Sequence, residues 1–449
     1  MYEIILGRNA SDRKKLGTNG TILIGKHYVT MEREKVLANP IYLDVNGPHA
    51  ILIAGKRGSG KSYTLGVIVE GIAGLPAEIK QNITTVLFDT MGIYWTMKYP
   101  NFRDDKLLQE YDLKPESLDP VVYVPIGKFD EYAQKGLPAD KIFAIKPSEV
   151  SVEQWSEIFG IELLSPEGLL LERAIENFEE SYSLDELIAA VEKDEDGSDS
   201  EKMILKNRLK FIEKWGLFDE KGMEIDALLE GGQTVIIDLS AYAEVDGGEK
   251  IKALAIGFVS MIALKHRMAA RKTEELEIVK EGSLGESSSS KIPLLQIIVD
   301  EAHEFLPKEG KTMASMPLIQ ILREGRQPGI SLILATQQPG KIHTDVMTQS
   351  DIVISHRLTS KIDIDALNVI MQSYASSDLQ KYIDNLPREK GTAIVLDDTN
   401  EKIYPLRIKP RISWHGGSDP HAIRGNLMKE LTRAVDEKVK ATPVDKNLK

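Results

Sequence analysis

Gly55-Lys56-Arg57-Gly58-Ser59-Gly60-Lys61-Ser62 carries the clearest chemistry in the chain. It fits the phosphate-loop pattern in full, follows the apolar run HAILIA and opens the helical stretch YTLGVIVEGI. Gly55, Gly58 and Gly60 let successive backbone N–H groups turn onto phosphates, and a helix N-terminus adds positive potential. In that frame Lys61 reaches the β- and γ-phosphates of ATP and Ser62 ligates Mg²⁺. Arg57, Ser59 and Tyr63 complete the expected nucleotide-binding set. The competing reading is a glycine-rich turn that merely precedes a helix.

The run from Leu294 to Val299 ends in Asp300 and Glu301. Two carboxylates at the tip of a buried strand need a metal or a proton to manage. Asp300 is therefore expected to support Mg²⁺, through water, and Glu301 to act as general base on the attacking water. The plain alternative is a helix N-cap supplied by Asp300. No role is assigned to His303. A third segment, from Leu318 to Pro339, places Arg323 and Arg326 at a helix end and finishes a strand in Thr336-Gln337-Gln338. Gln337 is the expected sensor of the γ-phosphate or the attacking water. The two arginines read either as partners of a helix C-terminal dipole or as an arginine finger reaching a neighbouring subunit.

These groups need strands to carry them. Apolar runs of strand length recur at Thr21–Gly25, Ala50–Ala54, Thr84–Phe88, Val121–Val124, Thr234–Leu239, Leu294–Val299, Ser331–Ala335, Ile352–Ser355 and Thr392–Leu396. Several are apolar without alternation, which marks strands covered on both faces, and helical stretches lie between them. The fold class is therefore α/β with a mainly parallel sheet. The expected organisation is a small N-terminal β region over 1–47, a core divided between 48–148 and 231–404, an α-helical insertion over 149–230, and a tail with a final helix near 422–439 over 405–449. A serine-rich stretch, 281–291, reads as a loop.

The combination GKRGSGKS, IIVDEAHEFLP and REGRQPGISLILATQQP resembles the HerA/FtsK superfamily of ring-forming, DNA-pumping ATPases, and within it the HerA branch. The likeness runs from about residue 48 to 396, and Asp89-Thr90-Met91-Gly92-Ile93-Tyr94 is similar to a further family signature. The resemblance implies a RecA-like P-loop ATPase core. It implies that Asp89 sits near the nucleotide, that Asp300 and Glu301 complete hydrolysis, and that Arg326, before Arg323, is the finger acting in trans. It further implies a homo-hexamer threading double-stranded DNA through its pore, with a nuclease partner, NurA-like or a defence effector, in DNA end processing, repair or defence. The N-terminal β region is short for the family's barrel, where such partners dock.

Composition narrows the field. The 449 residues carry 56 Lys and Arg against 69 Asp and Glu, a formal charge of −13, so wrapping nucleic acid around the outside is excluded, whereas a basic channel is not. Channel candidates are Lys265, Arg267, Arg271 and Lys272 after the apolar helix, Lys308 and Lys311 after the acidic pair, and Lys341 after the sensor strand. The absence of cysteine removes thiol, zinc-finger and iron–sulfur chemistry. The apolar stretch Ala253–Leu264 is shorter than the roughly 20 residues that span a bilayer, and no secretory signal is visible, so a cytoplasmic protein with no membrane partner is expected. No N-K-x-D segment marks a GTPase. The alternative function is a P-loop ATPase that remodels or switches a protein assembly without moving DNA.

Overall fold

Each apolar run singled out above forms a strand in the computed structural model of the chain, which describes residues 2–31, 34–223, 225–281, 292–371, 382 and 386–417. In chain order the strands are β1 (Ile4–Leu6), β2 (Thr21–Met31), β3 (Glu34–Asp44), β4 (Ala50–Ala54), β5 (Ile83–Asp89), β6 (Val121–Pro125), β7 (Lys141–Phe143), β8 (Thr234–Asp238), β9 (Leu294–Val299), β10 (Ile330–Thr336), β11 (Ile352–His356), β12 (Thr392–Asp397) and β13 (Lys402–Ile408). They join one sheet in the order β1-β3-β2-β13-β12-β11-β4-β10-β9-β5-β8-β6-β7. The stretch from β11 to β7 is parallel throughout. From β11 through β12, β13, β2 and β3 the pairing turns antiparallel, so residues 1–47 continue the same sheet. β13 crosses the expected boundary after residue 404, and it contains Pro405. β2 pairs only with Leu406–Ile408, which leaves the proline on a free edge on that side.

The lack of alternation in the parallel strands has a direct cause. Along β4, Ile51 and Ile53 enter one apolar cluster and Leu52 and Ala54 the other, so both faces of the sheet are core. Helix Lys61–Ala73 covers one face with Leu65, Val67, Ile68 and Ile72. The other face is covered by helix Gly248–Glu281 and by the insertion helices Val152–Phe159, Pro166–Glu176, Leu184–Lys193 and Asp199–Glu213. Among the described residues, the segment Gly248–Lys280 alone is long and apolar enough to cross a membrane, and 61% of its most apolar window is buried inside this fold.

Residues Met1–His415 form one compact unit and Gly416–Lys449 a second, of which only Gly416 and Gly417 are described. The helix expected near 422–439 and the stretch 282–291 lie outside the described residues.

After β13, the segment Lys409–His415 straps across helix Lys61–Ala73. Its anchor is Glu70, 2% exposed, which accepts hydrogen bonds from Arg411 Nε (2.9 Å), the backbone N–H groups of Ile412 (3.0 Å) and Ser413 (3.1 Å), and Ser413 Oγ (2.5 Å). The fully buried guanidinium of Arg411 packs over Gly66, where a Cβ would sit 2.6 Å from Nη1. Only glycine fits there. Glu70→Ala would strand Arg411 and the nearby Lys409 ammonium, 3.8 Å from Glu70, without their counter-charge. It is expected to destabilise the fold by about 3–5 kcal/mol, measured as the shift in a urea unfolding midpoint, whereas Glu70→Gln, which keeps an acceptor for the strap's N–H groups, loses less.

Candidate active site

The parallel strands deliver their loops to one edge of the sheet, the edge where α/β folds bind ligands. β4 runs into the phosphate loop. Gly58 has φ 73° and Gly60, capping helix Lys61–Ala73, has φ 114°, a conformation that side chains resist. Lys61 is 5% exposed, and its Nζ lies 3.5 Å from the carbonyl of Lys56. Burial lowers its pKa, opposed by Glu301 and then Asp300.

β10 lies between β4 and β9, so the sensor strand separates the phosphate loop from the acidic pair. Across that gap Ser62 Oγ donates to Asp300 Oδ2 at 2.7 Å. Tyr94 Oη donates to the same oxygen at 2.9 Å, and the backbone N–H of Glu301 donates to Asp300 Oδ1 at 2.9 Å. Glu301 itself has a left-handed backbone, φ 51° and ψ 40°, unusual outside glycine and typical of functional sites. Gln337 Nε2 donates to Glu301 Oε1 at 2.8 Å, while Oε2 is buried with no hydrogen-bond partner. Burial first, then the charge of Asp300, push Glu301 up to about 7, against the pull of Lys61 and the hydrogen bond from Gln337. A carboxylate with one oxygen held by Gln337 and the other unbonded, 3.6 Å from His303 Nδ1, and raised toward neutrality by burial, has the form of a general base.

A hydroxyl and a carboxylate in contact form a hard oxygen pair of the kind Mg²⁺ takes, since that ion keeps several waters and completes its shell with substrate phosphates. Ser62 and Asp300 therefore fit the ion.

Asp89 stands level with Asp300 on the adjacent strand, and other expected residues are turned to different tasks. Asp89 is fully buried and accepts from the backbone N–H groups of Met91 (3.1 Å), Gly92 (2.7 Å) and Tyr94 (2.7 Å), so it shapes the loop after β5. The hydroxyl of Tyr63 accepts from the backbone N–H of Arg411 at 2.7 Å and faces the strap. Arg57 is exposed. Arg323 is paired with Asp345 at 2.6 Å, and Arg326 is exposed in the turn before β10. Among the channel candidates, Arg267 is 1% exposed and bonds the carbonyls of Pro328 (2.7 Å) and Ile292 (2.6 Å) and the carboxylate of Glu274 (2.9 Å). It is a structural cation. Lys265, Arg271 and Lys272 stand on the same helix, which continues well past its apolar part, and not in a loop.

Three features escape the sequence. Tyr94 reaches Asp300 from 206 residues away. His356 ends β11 beside the loop, in line with Gly55, because Ser355 pairs with Ala54. Its Nδ1–H donates to the carbonyl of Thr392 at 3.2 Å, which leaves Nε2 to accept from the Thr64 hydroxyl at 2.8 Å. A polar residue closing an apolar run was the available signal for it. Finally, a cavity of ≈ 850 Å³ opens beside the loop, with Lys56, Ser59, Arg357, Lys361, Arg388 and Lys390 in its wall. That volume falls within the range of small-molecule and cofactor sites.

A family model described as the central domain of the helicase HerA matches residues 22–250, and one for zonular occludens toxin (Zot) matches residues 261–384. The chain is 23% identical over 428 residues to the DNA double-strand break repair helicase HerA of Sulfolobus acidocaldarius, covering 94% of this chain and 74% of that one. The protein of the same name in Pyrococcus furiosus is 25% identical over 417 residues, covering 87% and 72%. VirB4 of Thermoanaerobacter pseudethanolicus shares the fold, with a TM-score of 0.53 at 14% identity over 87% of this chain and 96% of that one.

Burial lowers His356 from 6.5 to about 4, so the unfolded chain binds a proton between those values that the folded chain refuses. Stability contributed by neutral His356 is fully present above about pH 6.5 and is lost on acidification to about pH 4, by about 3 kcal/mol. Urea unfolding between pH 4 and 7 is expected to show this slope, and His356→Gln to flatten it.

Proposed function

Because the chain belongs to the family of the HerA helicase central domain and is an ATPase, we propose that it works as a homo-hexameric ring that hydrolyses ATP to translocate double-stranded DNA. The observation that carries this reading is the placement of three exposed lysines directly behind the hydrolytic residues. Lys308 and Lys311 follow Asp300 and Glu301, and Lys341 follows Gln337. The backbone N–H of Lys308 bonds the carbonyl of Lys341 at 2.8 Å, beside a bridge between Pro307 and Ile342, so the two loops form one basic rim. A duplex gripped there would be moved by the same loops that respond to the γ-phosphate. The acidic exterior is no obstacle, since net charge says nothing of how charge is distributed.

In the proposed reaction the phosphate loop and Lys61 bind ATP, Gln337 orients the attacking water and Glu301 Oε2 takes its proton. Ser62 and, through water, Asp300 would hold Mg²⁺, which supplies charge neutralisation on the β- and γ-phosphates. Arg326 supports the ring. It precedes β10 while Gln337 follows it, and a seven-residue strand separates them by about 20 Å. Arg326 therefore lies at the opposite edge of the sheet from its own hydrolytic residues, exposed, where it is open to a neighbouring subunit. We extend the reading to a nuclease partner in DNA end processing or defence, as the resemblance implies; the relatives' names themselves speak of DNA double-strand break repair.

Duplex DNA is expected to raise ATP turnover with a steep inverse dependence on salt, and particles with six-fold symmetry to appear in electron micrographs. Lys308→Ala with Lys341→Ala should cut the stimulation at least about threefold by removing phosphate contacts. Turnover indifferent to DNA would instead support an ATPase that acts on a protein assembly. Arg326→Ala should lower kcat by about 10³-fold, and mixing it with Lys61→Ala subunits should restore part of the activity. Absence of rescue would place the arginine's role within its own subunit.

A further inference from the structure

The turn after β5 holds more order than a loop near a nucleotide requires. Asp89 stands at the end of β5 and, because Phe88 pairs with Val299, lies level with Asp300 on the adjacent strand. Its Oδ1 takes the N–H groups of Met91 and Gly92, and its Oδ2 takes that of Tyr94. Gly92 has φ 68°, and a Cβ there would lie 2.5 Å from Ser240 Oγ, so glycine alone closes the turn against its neighbour. That neighbour is itself fixed. Asp238, in register with Asp89 on β8, accepts from Ser240 N (2.9 Å), Ser240 Oγ (2.6 Å) and Tyr132 Oη (3.1 Å). The spacing of Asp89, Gly92 and Tyr94 thus has a physical account: an acceptor, a turn and a side chain returned over the next strand. That side chain is fully buried, and its hydroxyl meets the same Asp300 oxygen that receives Ser62.

We propose that Tyr94 is a positioning residue for the carboxylate that holds the metal through water, keeping Asp300 Oδ2 in the orientation in which it and Ser62 receive the hydrated cation. The proposal rests on the assignment of Ser62 and Asp300 to Mg²⁺ made above. Asp300 has three donors from three different segments: Ser62 after β4, Tyr94 after β5 and the backbone of Glu301 after β9. Oδ1 is fixed by the chain itself. Oδ2 is fixed only by two hydroxyls, and that of Ser62 belongs to the group that must also face the ion. With Ser62 engaged, Tyr94 remains as the one donor to Oδ2 among these three that has no other task. No water takes its place easily, since the tyrosine is 0% exposed. Loss of the hydroxyl frees the carboxylate to rotate, and groups that orient a metal ligand without touching the metal are worth about 10–100-fold in metal affinity.

The test measures binding, not turnover. Binding of the fluorescent analogue mant-ATP is titrated in Mg²⁺ and in EDTA, and Mn²⁺ is titrated by electron paramagnetic resonance into the full chain saturated with ADP. Tyr94→Phe is expected to keep wild-type affinity for mant-ATP in EDTA, to lose about tenfold of the gain that Mg²⁺ gives, and to raise the Mn²⁺ Kd about tenfold. Tyr132→Phe, which removes a hydroxyl donor from the buried Asp238, is expected to lower Tm without moving the Mn²⁺ Kd. Should Tyr94→Phe not fold, Asp89→Asn, which loosens the turn under Tyr94, must raise the Mn²⁺ Kd in its place. Unchanged Mn²⁺ affinity, equal losses in Mg²⁺ and EDTA, or equal effects of the two tyrosine variants would each overturn the proposal. A wild-type protein whose mant-ATP affinity ignores Mg²⁺ would overturn the metal assignment itself.

Discussion

The buried carboxylate of Asp300 is the point at which the separate parts of this site become one. It is 2% exposed and bonded on both oxygens, to the phosphate loop, to the turn after β5 and to the backbone that introduces Glu301. A buried acceptor deprived of its donors loses far more than a single surface hydrogen bond is worth, so the three segments cannot drift independently. The strained backbone of Glu301 follows from the same arrangement. With Asp300 turned toward the phosphate loop, the next residue must swing sharply to aim its carboxylate at Gln337, and the left-handed conformation at φ 51° accomplishes that.

Around this point the sheet separates tasks by edge. The C-terminal ends of β4, β9 and β10 carry the loop, the acids and the sensor, and the loops beyond the last two carry Lys308, Lys311 and Lys341. The opposite ends carry Arg326 and the cluster in which Arg8 pairs with Asp44 at 2.7 Å and His49 with Asp351 at 2.6 Å. Burial of both sheet faces leaves these edges as the places where polar groups of the core strands can emerge.

What could be read from the sequence was set by short-range physics. A phosphate loop demands glycines at fixed spacing because of backbone geometry, and an acidic pair stands out after an unbroken apolar run, so Gly55 to Ser62, Asp300, Glu301 and Gln337 were legible. Parallel strands were legible for the same reason, their two-sided burial being written as continuous apolarity. Contacts between distant segments were not. Tyr94 was legible as the last residue of a family-like signature, Tyr63 as a nucleotide contact, and nothing local tells that one meets Asp300 and the other the strap at Arg411. Arg267 looked like a channel cation, yet the long helix carries it inward to bond the carbonyls of Pro328 and Ile292 and the carboxylate of Glu274. Pro405 signalled the end of regular structure, and the sheet absorbed it on a stretch with one free edge.

Glu70 and Arg411 are 341 residues apart in the chain and in direct contact in the fold. During synthesis the helix that begins at Lys61 emerges early, but the cation that neutralises its buried acid emerges only after every core strand has been made. Closing so long a loop is slow, because distant contacts form only after much chain entropy has been given up. The nucleotide-binding helix of a nascent chain therefore gains the counter-charge for Glu70 and the cover over Gly66 only once the polypeptide has been made through residue 413.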